Sequence, residues 1–262
     1  MYAAFAATAF QTSLAYRGRV LALVFGELVE VFAKVAIWTS LFALGGDTSG
    51  VTLAEMITYA VFGGLLSSAW YWRAFLTGLG TQIKTGDVAV FLLKPLNYPL
   101  MLFAGECGRM AFGLLTVVLP TTLLIGLSYG LVPPASPVHG ALALVAFALG
   151  FAILFLLASI AGLLAFWLMT VFSLEWLLAG FMSIFSGTFV PLWFFPAPAA
   201  AVIEKLPFAY TAYHPMAIYL GKLDVDEALA TLAIGVGWAL VLAADAGWLW
   251  RRARRRIVVQ GG

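Results

Sequence analysis

Three charged side chains lie inside the first long apolar segment of the chain, where charge is costly and therefore informative. Glu27, Glu30 and Lys34 fall on one face of a helix with 3.6 residues per turn, and Glu30 and Lys34 form an i,i+4 pair. This face is expected to turn toward a helix bundle, a partner or a water-filled cavity. Two interpretations follow, a structural ion pair near one end of the segment or a polar lining of a translocation path.

A second motif matches the nucleophile-elbow pattern of serine hydrolases. Residues 126–130 match the pattern G-x-S-x-G, in which Ser128 would attack with His139 or His214 as the base, as in an intramembrane serine protease. That pattern requires a strand–turn–helix, whereas here it ends an apolar helix, so a glycine-rich helix terminus is the favoured interpretation. The chain has neither a P-loop sequence nor a Cys/His cluster, so we expect no P-loop ATP site and no metal site of its own.

The composition indicates that membrane helices position these residues. The 262-residue chain is 63% hydrophobic and 10% charged, against roughly 25% charged in an ordinary soluble domain. So few charges cannot form a solvated shell, which excludes a soluble enzyme, a nucleic-acid binder and a disordered chain. At about 20 apolar residues per crossing, the chain has room for roughly five to seven spans.

The apolar stretches predict an all-α integral membrane protein with six transmembrane helices in a single domain, residues 1–262. The long uncharged stretch 110–174 is broken by prolines at 133, 134 and 137, so it holds parts of two spans. An interfacial elbow helix is predicted over residues 1–19. The predicted spans are residues 20–44, 53–72, 105–129, 138–170, 175–193 and 228–250.

The distribution of Lys and Arg predicts the orientation. Eleven of the 14 positive residues fall on the side of the two termini, which the positive-inside rule places in the cytoplasm. The basic tail, residues 251–262, is expected to contact anionic lipid there. The richness in Arg, Ala and Gly suggests a bacterial source, and hence the inner membrane, for this multi-pass chain.

Two apolar segments lie largely outside the six predicted spans, where polar loops would be expected. In the cytoplasmic loop 78–99, Gly86 and Asp87 cap a short apolar helix that Pro95 ends. This helix lies either on the lipid or its own bundle, or docks into a cytosolic partner. On the outer side, segment 186–215 is too rich in proline to span and too apolar for a solvated loop, so we expect a re-entrant hairpin, as a structural plug or an outer gate.

In this order the parts resemble the membrane subunit of ATP-binding-cassette type-2 transporters, and more specifically the permease family that includes the viologen-exporter type subunits. The resemblance covers essentially the whole chain. It rests on Gly86-Asp87 and Phe91-Leu92-Leu93-Lys94-Pro95-Leu96 in the loop, and on Ser186-Gly187, Val190-Pro191-Leu192, Phe195-Pro196, Leu206-Pro207-Phe208 and Tyr213-His214-Pro215 in the second half.

The resemblance implies a half-transporter that pairs with a second permease, identical or a sister chain, above two cytosolic ATPases that hold ATP and Mg. It also implies no catalytic residue in this chain, because the chemistry belongs to the ATPases. Spans one, two and five would line the path, including Glu27, Glu30 and Lys34. The coupling residues would be Gly86, Asp87, Val90, Phe91, Leu92, Lys94 and Pro95. The outer gate would comprise Phe189, Pro191, Trp193, Phe194, Phe195, Pro207 and Phe208.

The substrate expectation comes from the side chains along this path. An aromatic-rich path with a few acids suits a hydrophobic or cationic small molecule, or a lipid-like one, through dispersion and cation–π contacts. We expect membrane lipids as further partners and no nucleic acid. A secondary transporter that works without an ATPase is the alternative.

Overall fold

The computed structural model describes residues 2–14, 17–45, 50–92, 96–168 and 170–256. Throughout these ranges the chain is helical and contains no β-strand, which confirms the all-α expectation. The α-helices are α1 Tyr2–Leu14, α2 Arg17–Ala43, α3 Leu53–Phe62, α4 Leu65–Ala69, α5 Trp72–Thr85, α6 Val88–Leu92, α7 Tyr98–Gly113, α8 Leu119–Tyr129, α9 Pro137–Leu163, α10 Phe172–Phe185, α11 Ala197–Ile203, α12 Tyr213–Tyr219 and α13 Val225–Ala253.

Within the described ranges, three continuous helical stretches are long and apolar enough to cross a membrane. The first is Tyr98–Tyr129, in which α7 and α8 run together through a π-helical turn at Leu114–Val118. The others are Pro137–Phe166 and Val225–Ala253. Helix α10, Phe172–Phe185, is a shorter apolar helix of 14 residues.

Local sequence signals set the ends of the long helices. Ser136 caps α9 by accepting the His139 N–H at 3.2 Å, and Pro137 occupies the first turn, where its missing N–H costs nothing. Asp224 and Glu227 form a capping box at the start of α13. The proline run at 133–134 leaves the connection between α8 and α9 non-helical, as its sequence predicts.

Several predicted boundaries are wrong, mostly where glycines interrupt the helices. The predicted span 53–72 is divided between α3, α4 and the start of α5, with a break at Gly63 and a second at residues 70–71. Gly86 takes the left-handed conformation (φ 79°) that ends α5, so residues 78–85 of the predicted loop are helical. Gly187 does the same after α10, which ends at Phe185 and not at 193.

Two other predicted boundaries are also shifted. The predicted elbow, residues 1–19, becomes a helix that ends at Leu14, and Arg17 already belongs to α2. The span predicted for 138–170 begins at Pro137 and is helical only to Phe166. In the basic tail, α13 continues to Ala253 and a 3-10 turn covers Arg254–Arg256; residues 257–262 lie outside the described residues.

The core forms around aromatic side chains where α5 packs on α9. Trp70, which is buried, contacts Phe151 edge-on with ring centroids 5.0 Å apart, and Phe75 lies 5.1 Å from Phe155. Helix α1 packs along α7, and α13 packs along α9. The junction between α4 and α5 is thereby held at the centre of the molecule.

Helix α7 approaches its neighbours through glycines. A Cβ added to Gly113 would overlap the Ala69 carbonyl at the end of α4, and one added to Gly108 would overlap the Ala6 carbonyl on α1. Backbone cannot yield as the tip of a flexible side chain can. These two glycines are therefore required for the contacts of α7 with α4 and α1.

We expect Gly113→Ala to lower the free energy of unfolding by about 1–3 kcal/mol or more, the usual cost of overpacking. The measurement is the thermal unfolding midpoint of the detergent-purified chain. Gly105→Ala is the matched control on the same helix, because its Cβ would meet only the Arg109 Nη1 at 3.9 Å. Equal midpoints for the two variants would contradict the close packing of α7 on α4.

Candidate functional site

A cavity of about 480 Å³ lies between α2, the α4–α5 junction and α10, and we call it the acid cavity. Glu27 and Glu30 of α2 form its acidic wall, and Trp70, Tyr71 and Trp72 form an aromatic one. Glu27 also hydrogen-bonds Ser68, whose side chain lines the same space. The arrangement combines negative charge with aromatic surface, which together favour a cation or a polarisable apolar molecule.

Lys34 lies behind the acid cavity and does not line it. Its side chain is only 8% exposed, and its Nζ lies 2.8 Å from Oε1 of Glu30, whose side chain is 51% exposed. The ammonium also lies 5.2 Å from the ring centroid of Phe189. The structure thus brings the three predicted path residues together, with both carboxylates at the cavity and the ammonium bridging α2 to the segment after α10.

The predicted outer-gate residues are divided among different surroundings. Of the seven, Phe189 lines the acid cavity. Trp193 packs edge-on against Tyr59 of α3 at 5.2 Å, and Phe194 stacks on Trp38 of α2 at 5.2 Å. These rings anchor the segment after α10 to α2 and α3.

The remaining gate residues hold the segment's own structure. Pro191 is buried directly before a 3-10 turn, Leu192–Phe194, and Phe195 packs in the cluster beneath it. Pro207 begins a second 3-10 turn, Pro207–Thr211, and is buried. Phe208 lies 5.6 Å from the ring of Phe181 on α10. The segment, residues 186–215, is accordingly a compact series of short helical pieces, which we call the plug. Of the seven predicted gate residues, Phe189 is the one whose ring lines the acid cavity.

Hydrogen bonds close the plug onto itself and onto α3. Gly187 has a positive φ of 78°, and its carbonyl accepts the Tyr59 hydroxyl at 2.8 Å. The Tyr213 N–H donates to the Ser186 carbonyl at 3.0 Å, which joins the start of the plug to α12. The Tyr213 hydroxyl donates to the Glu204 carboxylate at 2.9 Å. The first two bonds pair backbone carbonyls of the segment, and the third joins two of its side chains.

His214 lies inside the plug, outside the three long apolar helices. Its Nε2–H donates to the Glu204 carbonyl at 2.8 Å, and the ring is packed against Tyr210 at 4.5 Å. Burial disfavours the imidazolium and lowers the pKa of His214 to about 4. The residue therefore holds the plug as a neutral side chain and not as a base.

We expect the plug to lose stability in acid through His214. The unfolded chain binds the proton near pH 6.5 and the folded chain only near pH 4, so the stabilisation is present above pH 6.5 and is lost as the pH falls toward 4. The loss amounts to about 3 kcal/mol. His214→Gln keeps an N–H donor without a titrating group, so the unfolding midpoint of this variant should vary less between pH 6.5 and 4 than that of the wild type. Identical pH profiles would contradict the assignment.

Arg73 is a cavity residue that the sequence did not single out. It lines the acid cavity, and its guanidinium lies 5.4 Å from the ring of Trp72 and 5.7 Å from that of Trp176. Its Nη1 is 3.8 Å from Oε1 of Glu175 on α10. In the sequence Arg73 counted only toward orientation. The run of aromatics directly before it was the available signal, because cations pack on such rings.

The predicted coupling residues lie on and beside α6. Gly86 turns the chain, and the Asp87 carboxylate accepts the Thr85 hydroxyl at 2.6 Å. Val88 is buried, whereas Val90 is 57% exposed, and Phe91 packs on Tyr98 at 5.6 Å. The backbone of Leu92 ends α6, while Lys94 and Pro95 lie outside the described residues.

The residues of the serine-protease alternative are not assembled into a site. The Ser128 hydroxyl donates to the Leu124 carbonyl at 2.9 Å, within its own helix. His139 binds Ser136 and the Leu223 carbonyl, while His214 binds Glu204. Neither imidazole is placed to take a proton from Ser128.

Comparison with known proteins identifies a matching family. A family model described as "ABC-2 family transporter protein" matches residues 28–261, which is most of the chain. No curated protein and no solved structure matches it. The matched range begins on α2, one residue after Glu27, and includes Glu30, α6 and the plug.

Proposed function

This chain belongs to the ABC-2 family transporter proteins and is a multi-pass membrane protein, and we propose on that premise that it is the permease half of an ATP-driven exporter. The substrate path passes through the acid cavity. The substrate is a hydrophobic or cationic small molecule or a lipid-like one. A separate cytosolic ATPase, which holds ATP and Mg, supplies the energy.

The observation that carries this proposal is the acid cavity itself. Two carboxylates from α2 face aromatic rings in a space of about 480 Å³, within the range of volumes that small-molecule sites occupy. A neutral or cationic guest can use the rings and the carboxylates of Glu27 and Glu30. Arg73, the cation in the same lining, is engaged by Glu175 and by two tryptophan rings. Lys34 and Phe189 connect this cavity to the plug, so that occupation of the cavity and movement of the plug are linked.

The topology we propose has six membrane crossings with both termini in the cytoplasm of a bacterial cell. The crossings are α2, the α3–α4 pair, the α7–α8 stretch, α9, α10 and α13. Helix α1 lies at the inner surface, and the plug, residues 186–215, dips into the outer leaflet as a gate. Two permeases, identical or related, face each other.

Helix α6 is the coupling helix in this arrangement. Val88 fixes it to the core and Phe91 packs on Tyr98, so its position is tied to α7. The exposed Val90 then provides an apolar side chain for a pocket on the ATPase. Movement of the ATPase is passed through α6 to α5 and α7, which border the α4–α5 junction and the cavity.

Cells that lack this chain should accumulate a fluorescent hydrophobic cation such as ethidium more than the parent strain does. The accumulation should return to the parental level on expression of the wild-type chain. Dissipating the proton gradient should leave the efflux intact, whereas depleting ATP should stop it. Efflux that follows the proton gradient would identify a secondary transporter, and unchanged accumulation of hydrophobic cations would contradict the proposed substrate class.

A further inference from the structure

A second cavity, of about 570 Å³, lies between α1, α5 and α7, and we call it the elbow cavity. Its walls are largely apolar and include Phe5 of α1, Leu102 and Phe112 of α7, and Val117 of the π-helical turn. This volume exceeds that of the acid cavity, with which it shares Ser68, Trp70 and Tyr71. The walls from α1 and α7 belong to the elbow cavity alone, and no role has been given to them above. The size and apolar lining suit a hydrocarbon chain.

The polar end of the elbow cavity offers hydrogen-bond donors and no free carboxylate. Glu106 is buried, and both its oxygens are engaged, one by the Trp70 Nε1–H at 2.7 Å and the other by Arg109. Arg109 is 54% exposed, and Glu106 is its ion-pair partner within the described residues. A guanidinium has five N–H donors, so several remain for a ligand in the cavity.

Two other polar residues of the lining, Gln82 and Thr12, are already engaged. The Gln82 Oε1 accepts the Tyr98 hydroxyl at 3.0 Å, and Tyr98 precedes Arg109 by three turns of α7, roughly 16 Å. The hydroxyl of Thr12 on α1 is donated to the Thr8 carbonyl at 2.8 Å. An occupant therefore needs acceptor oxygens at one end and an apolar body at the other.

We propose that the elbow cavity binds a glycerophospholipid of the inner leaflet, with its phosphodiester on Arg109 and one acyl chain along α1 and α7. The phosphodiester matches the fork of guanidinium donors in both charge and geometry. The acyl chain fills the space between the apolar side chains of α1 and α7 and contacts both walls. This inference rests on the membrane topology given under Proposed function, which places α1 at the inner surface.

The test is native mass spectrometry of the detergent-purified chain, titrated with phosphatidylglycerol and, separately, with diacylglycerol of the same acyl chains. A charge-assisted hydrogen bond corresponds to roughly a tenfold to hundredfold preference for the phospholipid. Ala74→Phe, which fills the cavity from α5 without touching a charge, should reduce phosphatidylglycerol occupancy severalfold.

The double variant Glu106→Gln/Arg109→Gln removes both charges together, so no unpaired buried carboxylate remains to unfold the chain. It should bind both lipids equally. Arg251→Gln, which removes an exposed guanidinium from the last turn of α13, is the matched control and should keep the preference. Equal binding of both lipids by the wild type, or an unchanged preference in the double variant, would overturn the proposal.

Two further results separate this site from its alternatives. Displacement of phosphatidylglycerol by free glycerophosphate at equal concentration would reveal a simple anion site and overturn the lipid assignment. The binding is measured without any ATPase. The two proposals can therefore fail separately. If the chain prefers phosphatidylglycerol but never stimulates ATP hydrolysis by a partner, the proposed export function is refuted and the lipid site is still supported.

Discussion

Glu27→Gln should lower ATP-driven transport of a hydrophobic cation by about tenfold to a hundredfold without loss of folding. The carboxylate of Glu27 lines the acid cavity, and a charged hydrogen-bond partner is worth about 1.5–3 kcal/mol to the group it binds. Gln has the same shape and keeps the hydrogen bond to Ser68, so only the charge is removed. The measurement is uptake of ethidium into inverted vesicles supplied with ATP.

Asp226→Asn is the matched control for Glu27→Gln. Asp226 is an exposed carboxylate in the first turn of α13, away from the cavity, so its neutralisation should leave uptake unchanged. The pair Glu30–Lys34 is tested by changing both residues, as Glu30→Gln/Lys34→Met, which avoids an unpaired buried ammonium. A structural ion pair predicts a folded chain with normal uptake, whereas a lining of the path predicts reduced uptake. Normal ethidium uptake by the Glu27→Gln variant would show that the acid cavity is not part of the substrate path.

Val90→Asp should abolish substrate-stimulated ATP hydrolysis by the assembled transporter while leaving the membrane helices folded. Val90 is exposed on α6, so the isolated chain tolerates a carboxylate there. In a docked complex that carboxylate would be buried without a partner, at a cost of several kcal/mol, which weakens docking by roughly a hundredfold or more. The readout is hydrolysis with and without ethidium in proteoliposomes.

Two comparisons make the Val90 result specific. Thr81→Asp places the same charge at an exposed position of α5, one turn before the loop, and should keep the stimulation. Phe91→Asp should also uncouple the transporter, but it removes the packing on Tyr98 and so lowers the unfolding midpoint as well. Substrate-stimulated hydrolysis that survives Val90→Asp would show that α6 is not the coupling helix.

The sequence predicted features that depend on local physics. The all-α class followed from composition, and the break between α8 and α9 followed from the prolines at 133, 134 and 137. Glu27, Glu30 and Lys34 were recognisable because charges in an apolar helix need a partner or a cavity. The helical spacing of these residues was sufficient to predict that they meet.

Features that depend on distant contacts were not predictable. The break of the second predicted span at Gly63 depends on how α3 and α4 pack, and glycine alone does not specify it. Phe189 and Trp193 looked equivalent in the sequence, yet one lines the cavity and the other packs on Tyr59. Only the folded plug distinguishes them. The contacts of Arg73 with Trp176 and Glu175 of α10 were likewise not predictable, because those residues are far from it in the sequence.

The central claim is that this chain is one half of an ATP-driven permease, and it is tested most directly by purifying the chain from its native membrane and identifying the subunits that remain bound. We predict a cytosolic ATPase with a P-loop sequence and a second permease, either another copy or a related chain, and Val90→Asp should lose the ATPase but keep the second permease. Recovery of the wild-type chain without any P-loop ATPase, while its folding and transport remain intact, would contradict the account.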